Sequence, residues 1–143
     1  MNDRHSIIPA VYLMAIKEEK ILLIRRYQTG YMDGSYSLPA GHVEQGEFAT
    51  QALRREIKEE INIELQEQDL TCVHVVHRIK DDERVDFHFI ADKWSGEIIN
   101  KEPHKCDDIS WFPLNDLPQN IIPVVKQAIE NYQKGIFFSE ARF

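Results

Sequence analysis

Residues 49–61, ATQALRREIKEEI, constrain the fold more than any other stretch, because they put carboxylates where a helix places its apolar face. At about 100° per residue, Ala49, Ala52, Leu53, Ile57 and Ile61 form one stripe. Glu56 and Glu60 fall inside the same sector, Glu59 lies on its edge with Arg55 beside it, and Gln51, Arg54 and Lys58 occupy the opposite, solvated face. Glutamates three and four positions apart repel, and burying them costs more unless their charge is compensated. A surface acidic cluster tied up by Arg54, Arg55 and Lys58 is the plainer reading, but the basic side chains lie mostly on the wrong face for it. Carboxylates converging among apolar side chains suit a hard, oxygen-seeking cation such as Mg²⁺ or Mn²⁺, which keeps several waters and shares its shell with phosphates.

Charge makes the same demand. Seventeen Lys and Arg against 24 Asp and Glu give a net charge of −7 in 143 residues. A chain this acidic does not attract nucleic acid or polyphosphate by its bulk field, so a polyanionic ligand needs something local and positive. Two cysteines, Cys72 and Cys106, make neither a disulfide framework nor a four-ligand zinc site. They suit a reducing, cytoplasmic compartment. The start, MNDRHS, has no signal-peptide pattern, and the longest apolar run, Ile7–Ile16, is half a bilayer span and contains Pro9. No membrane partner is expected.

Length and the absence of a linker or repeat predict a single domain over residues 1–143. Ile7–Ile16 reads as a strand covered on both faces, hairpinned to Ile21–Ile24 across Lys17-Glu18-Glu19-Lys20. Residues 27–46 hold Gly30, Gly34, Pro39, Gly41 and Gly46 and form a long loop of the kind usually functional. A helical pattern over 47–61 ends at Asn62, which tolerates the left-handed conformation of a helix terminus. Strands follow at Thr71–Arg78, Arg84–Trp94 (Val85, Phe87 and Phe89 facing one way, Asp86 and His88 the other) and Asp108–Phe112. A last helix spans about Ile122–Gln133, with Gly135 as its cap. Hairpins flanked by two helices predict an α/β fold with a mixed sheet between helices.

The stretch 41–63, GHVEQGEFATQALRREIKEEINI, resembles the signature of the Nudix hydrolase family, G-x5-E-x7-R-E-U-x-E-E-x-G-U with U a bulky aliphatic. Gly41, Glu47, Arg55, Glu56, Ile57, Glu59, Glu60 and Ile63 match, and Asn62 stands where the family has glycine. Six exact matches at fixed spacing arise by chance on the order of once in 10⁸ starts. The resemblance implies a Nudix-type α/β/α sandwich and metal-dependent hydrolysis of a nucleoside diphosphate linked to another group X. It implies that Glu56, Glu59 and Glu60 hold Mg²⁺ (or Mn²⁺) with help from the Gly41 carbonyl, and that Glu47 and Arg55 pair or orient the ligands. By the same resemblance, Glu102 is a loop carboxylate reaching metal or water, and one of these carboxylates activates the attacking water. Arg26 is similar to a phosphate-binding arginine of MutT-type members, with a solvated strand end as its alternative. Asn120 is similar to a base-reading asparagine, and helix N-cap duty explains it equally well. His42 and His104 read as loop residues near phosphate, and Cys106 and Trp111 as loop and core packing.

These expectations make the chain a MutT-like pyrophosphohydrolase of small nucleotides, converting a (d)NTP to a monophosphate and pyrophosphate. No proline lies between Glu64 and Glu102, where ADP-ribose-type members carry one, and the tyrosine of dinucleoside polyphosphate enzymes is missing from the same region. An isoprenoid diphosphate isomerase on the same fold lacks its cysteine-centred motif here. The alternative from another class is a nucleotide-sensing Nudix module without catalysis, although such modules tend to lose box glutamates. The apolar end GIFFSEARF is expected to dock Phe137, Phe138 or Phe143 on the domain or on a second subunit as a homodimer.

Overall fold

The computed structural model describes residues 4–142, and Phe143 of the expected docking tail lies outside them. Strand β1 (Ile8–Lys17) is the axis of the fold. It pairs in parallel with β6 (Glu83–Ala91) from Ile8 to Ala15. On its other side it pairs antiparallel with β4 (Ala40–His42), and at its end with β2 (Lys20–Arg26). The β1–β2 turn has Glu18 and Glu19 at φ 53° and 62°, the type I′ geometry that matches strand twist. β2 continues to β3 (Tyr36–Ser37) and to β7 (Cys106–Pro113), and β6 to β5 (Thr71–Ile79). The sheet is therefore mixed, as Ile7–Ile16 and the hairpin patterns predict. The long loop differs from expectation in carrying β3 and β4, strands of two and three residues too short to show periodicity.

Helix α1 (Ala49–Ile61) covers one face of the sheet and α2 (Pro123–Gln133) the other. Alternation along β1 divides the core accordingly. Val11, Leu13 and Ala15 pack with Ala52, Leu53, Ile57 and Ile61 of α1, while Met14 packs with Val124, Val125, Ala128 and Ile129 of α2. This is the Nudix-type α/β/α sandwich. α1 starts two residues later than its pattern suggests, after Phe48, whose N–H donates to Gln51 Oε1 at 2.7 Å. No helix among the described residues is long and apolar enough to cross a membrane.

The C-terminal segment forms β8 (Phe138–Ala141), parallel to β5 at the sheet edge. Its backbone docks on the sheet, but Phe137 and Phe138 remain 55% and 53% exposed. The buried anchor is His74, whose ring nitrogens meet the Ile136 carbonyl at 2.8 Å and Ser139 Oγ at 2.9 Å. Trp111 also departs from the core reading, since it is 36% exposed and stacks on Trp94 at 6.1 Å.

Candidate active site

The apolar stripe of α1 seats the helix on the sheet, and that seating turns Glu56 and Glu60 toward β4. Gly41 makes the approach feasible, because a Cβ at that position would lie 2.1 Å from Glu56 Cγ. Glu60 is partly buried and accepts the Ala40 N–H at 3.2 Å through Oε1. Burial pushes its carboxyl well above the usual carboxylate range, and the charges of Glu56 and Glu102 push it the same way. Lys105 acts in the opposite direction. Glu102 is partly buried in the loop before β7, where its N–H donates to Asn100 Oδ1 at 3.0 Å and its carbonyl accepts from Lys105 and Cys106. Glu59 is more open to solvent, with a side chain 55% exposed and an oxygen 3.8 Å from a terminal nitrogen of Arg55.

Arg55 ties the group to the loop before the helix. Its Nε and one terminal nitrogen donate to the two oxygens of Glu47 at 2.7 and 3.0 Å, and its other terminal nitrogen donates to Glu56 Oε1 at 2.8 Å. A planar guanidinium can grip two carboxylates at once in this way. The pairing holds Glu47 down at about 2, mainly through the Arg55 hydrogen bonds, and raises Arg55 further above its ordinary value. One Arg55 terminal nitrogen also donates to the His42 carbonyl at 3.2 Å, which fixes β4 relative to α1. At the far end of the helix, Asn62 takes φ 74°, and its Nδ2 donates to the Glu97 carbonyl at 3.1 Å. That geometry explains why asparagine can stand where the signature has glycine.

On the α2 side of the sheet, a cleft of about 470 Å³ reaches Gly41 and His42 and is lined by Tyr12, Arg26, Tyr31, Arg78 and Arg84 among others. Arg26 lines it, yet its Nε and one terminal nitrogen donate to the Tyr31 carbonyl at 2.7 Å and Thr29 Oγ1 at 2.9 Å. Asn120 is exposed and does not cap α2, which starts after Ile122; its Nδ2 donates to the Gly34 carbonyl at 2.9 Å. Both residues thus support the 27–35 loop. His42 sits on the rim with Nε2 3.2 Å from Arg84, whereas His104 is exposed on the Glu102 loop.

Sequence reasoning missed Tyr12, Tyr31, Arg78, Arg84 and Asp86. Asp86 is 1% exposed beneath the cleft and lies 3.2 Å from Arg78 Nε. Alternation in β6 marks Asp86 and His88 as one face, but only the assembled fold shows that this face is covered as well, by Arg78 over Asp86 and Tyr12 over His88. No signal in a single strand reports that.

Among the described residues, no three His, Cys, Asp or Glu side chains are already arranged around a metal position. Glu56 faces Arg55 and Glu59 points outward, so the carboxylates form an open set rather than a closed cage. An open, oxygen-only set beside a glycine that leaves room for Glu56 fits an ion that retains waters and borrows ligands from its substrate. The residues fit such an ion.

The model of the NUDIX domain matches residues 6–133. The NAD-capped RNA hydrolases NudC of Pseudomonas entomophila and Pseudomonas fluorescens are 32% and 33% identical over 115 residues. That match covers 78% of this chain, which spans only 38% of the length of these relatives. Among solved structures, a MutT NUDIX hydrolase from Burkholderia pseudomallei superposes with TM-score 0.81 at 30% identity, covering 88% of this chain and 98% of that one. A MutT protein from Bacillus halodurans shares the fold at TM-score 0.79 and 15% identity, covering 96% and 90%. With the signature residues on α1 and β4 and a domain match over most of its length, the chain belongs to the Nudix hydrolase family.

Proposed function

We propose that this protein hydrolyses a phosphoanhydride bond in a nucleoside diphosphate linked to a further group, using Mg²⁺ or Mn²⁺, with a (d)NTP cleaved to a monophosphate and pyrophosphate as the leading case. The observation that carries this reading is the placement of Glu56 against Gly41 and of Glu60 on the Ala40 N–H, carboxylates turned toward the sheet where burial disfavours their charge without a cation. Nudix hydrolases generally use divalent metals. A divalent ion bound here would neutralise phosphate oxygens and acidify water. Glu56, Glu59, Glu60 and the Gly41 carbonyl would hold it, with Glu59 swinging in from its exposed position. One carboxylate of this set, Glu56, Glu59, Glu60 or Glu102, takes the proton of the attacking water as that water's oxygen bonds to phosphorus and the bridging P–O bond breaks. Glu47 acts through Arg55 to keep Glu56 aimed.

The cleft beside this group takes the rest of the nucleotide. The NudC relatives are named for NAD-capped RNA, so NAD and a short NAD-capped RNA belong in the substrate panel alongside the triphosphates. A net charge of −7 favours small nucleotides over an RNA chain.

The test is product release from that panel with Mg²⁺, comparing wild type with Glu60→Gln. At least one nucleotide is turned over by wild type, and Glu60→Gln loses on the order of 100-fold or more in turnover. If both proteins bind a nucleotide and neither cleaves any, the chain is a nucleotide-sensing module instead.

A further inference from the structure

The loop between β2 and β3 is more tightly built than an idle connection needs to be. Asp33 accepts the N–H groups of Thr29 and Gly30 at 3.0 and 2.9 Å and the Thr29 hydroxyl at 2.5 Å. Thr29 Oγ1 in turn accepts the Tyr31 N–H at 3.2 Å and a terminal nitrogen of Arg26. Arg26 Nε donates to the Tyr31 carbonyl, and Asn120 pins the Gly34 carbonyl from the turn before α2. Gln28 and Met32 hold positive φ, at 51° and 50°, a conformation that costs a non-glycine residue energy and persists only where its surroundings impose it.

This bracing presents one side chain to the cleft. Tyr31 lines the cleft while its surface stays 51% exposed, and the Arg26 guanidinium lies 5.3 Å from its ring centroid. A cation fixed near one aromatic face leaves the rest of a pre-oriented, electron-rich ring for a planar partner. Ile24, Leu38, Ile122, Val124 and Val125 line the same cleft with aliphatic surface. A flat heteroaromatic ring finds there an aromatic platform and an apolar seat, with Gly41 and His42 in the same cleft for the phosphates.

We propose that Tyr31 is the platform on which the nucleobase of the substrate stacks, making it a specificity-determining residue that admits base-bearing diphosphates over base-free ones. The inference rests on the nucleotide reading above. In it, Arg26 and Asn120 act as positioning residues for Tyr31 by holding its loop. Stacking tolerates any base, because every base has a π face, so Tyr31 selects for the presence of a ring rather than for its identity.

The test is equilibrium binding of 1,N6-ethenoadenosine diphosphate, read by quenching of its fluorescence, with ribose 5-diphosphate as a base-free competitor. Tyr31→Ala weakens binding of the etheno nucleotide on the order of 10- to 100-fold, the size of one stacked base. It leaves ribose 5-diphosphate affinity within about twofold, and Tyr31→Phe and Tyr31→Trp retain tight binding and quenching. The proposal is overturned if Tyr31→Ala binds the etheno nucleotide like wild type, if it loses affinity equally for the base-free compound, or if wild type does not bind the etheno nucleotide. Binding is read without turnover, so a protein that stacks the base and cleaves nothing contradicts the hydrolytic reading alone. A protein that cleaves nucleotides equally well with and without Tyr31 contradicts the platform alone.

Discussion

At the scale of single residues, Gly41 and Arg55 show how this chain holds charge in place. Gly41 is needed for space, because its missing side chain is where Glu56 lies. Arg55 is needed for its fork, since a lysine presents one point of attachment and cannot bridge Glu47 and Glu56 in the same way. Gly41→Ala meets a flexible glutamate rather than backbone, so the protein should fold with near-normal stability while Glu56 is pushed out of line. Misplacing a reacting group by about 1 Å can cost on the order of 100-fold in rate. The expected result is a melting temperature close to wild type and nucleotide turnover reduced by roughly that factor; full activity would mean that Glu56 has no fixed role. Both residues were legible from spacing, because the signature records positions along the chain that the helix brings together. Tyr31 was not, since one tyrosine in a glycine-bearing loop makes no pattern until the loop's hydrogen bonds are drawn.

Elements differ in how openly they announced themselves. α1 and α2 were legible through their 3.6-residue periodicity and their ends at Asn62 and near Gly135, and β1 through its unbroken apolar run. β3, β4 and β8 were not, because two to four residues are too few for alternation, and β8 forms only by pairing with β5 across more than sixty positions. β8 carries a prediction. Removing the chain from Ile136 onward takes both partners from the His74 ring, which is fully buried. Losing those two hydrogen bonds should cost about 1–3 kcal/mol in denaturant unfolding; unchanged stability would show that the segment does not dock.

β6 carries a second prediction. His88 is 2% exposed, stacks on Tyr12 with centroids 4.7 Å apart, and meets the His74 carbonyl at 3.3 Å through Nδ1. Burial lowers its pKa from 6.5 to about 3, with the nearby His74 acting in the same direction. Between those values the unfolded chain binds a proton that the folded chain refuses, so folding loses stability as pH falls from about 6.5 toward 3. His88→Phe keeps an aromatic ring and removes that linkage. The stability difference between wild type and variant should therefore move against wild type by on the order of 3 kcal/mol between pH 7 and pH 4 in urea titrations. A difference independent of pH would mean that His88 titrates alike in both states.

For the whole molecule, the mixed sheet and two covering helices were legible as a class, since hairpins without repeated strand–helix–strand units leave few arrangements. The cleft was not, because Tyr12, Arg78 and Arg84 meet Gly41 only through the order in which β1, β5, β6 and β4 assemble. That order also reconciles the overall charge with an anionic substrate. Arginines line the walls of the cleft, which reaches Gly41, the residue Glu56 lies against; in the proposed reading, a cation held by the glutamates there would add to that positive charge.

The most direct measurement is Mn²⁺ titration followed by electron paramagnetic resonance of the free ion, in wild type, Glu56→Gln and Glu60→Gln, with and without a nucleoside diphosphate. The account predicts saturable Mn²⁺ binding by wild type that the nucleotide strengthens, weakened on the order of tenfold or more in each variant as a charged ligand is lost. Equal Mn²⁺ binding by all three proteins, or none by wild type even with nucleotide present, would contradict it.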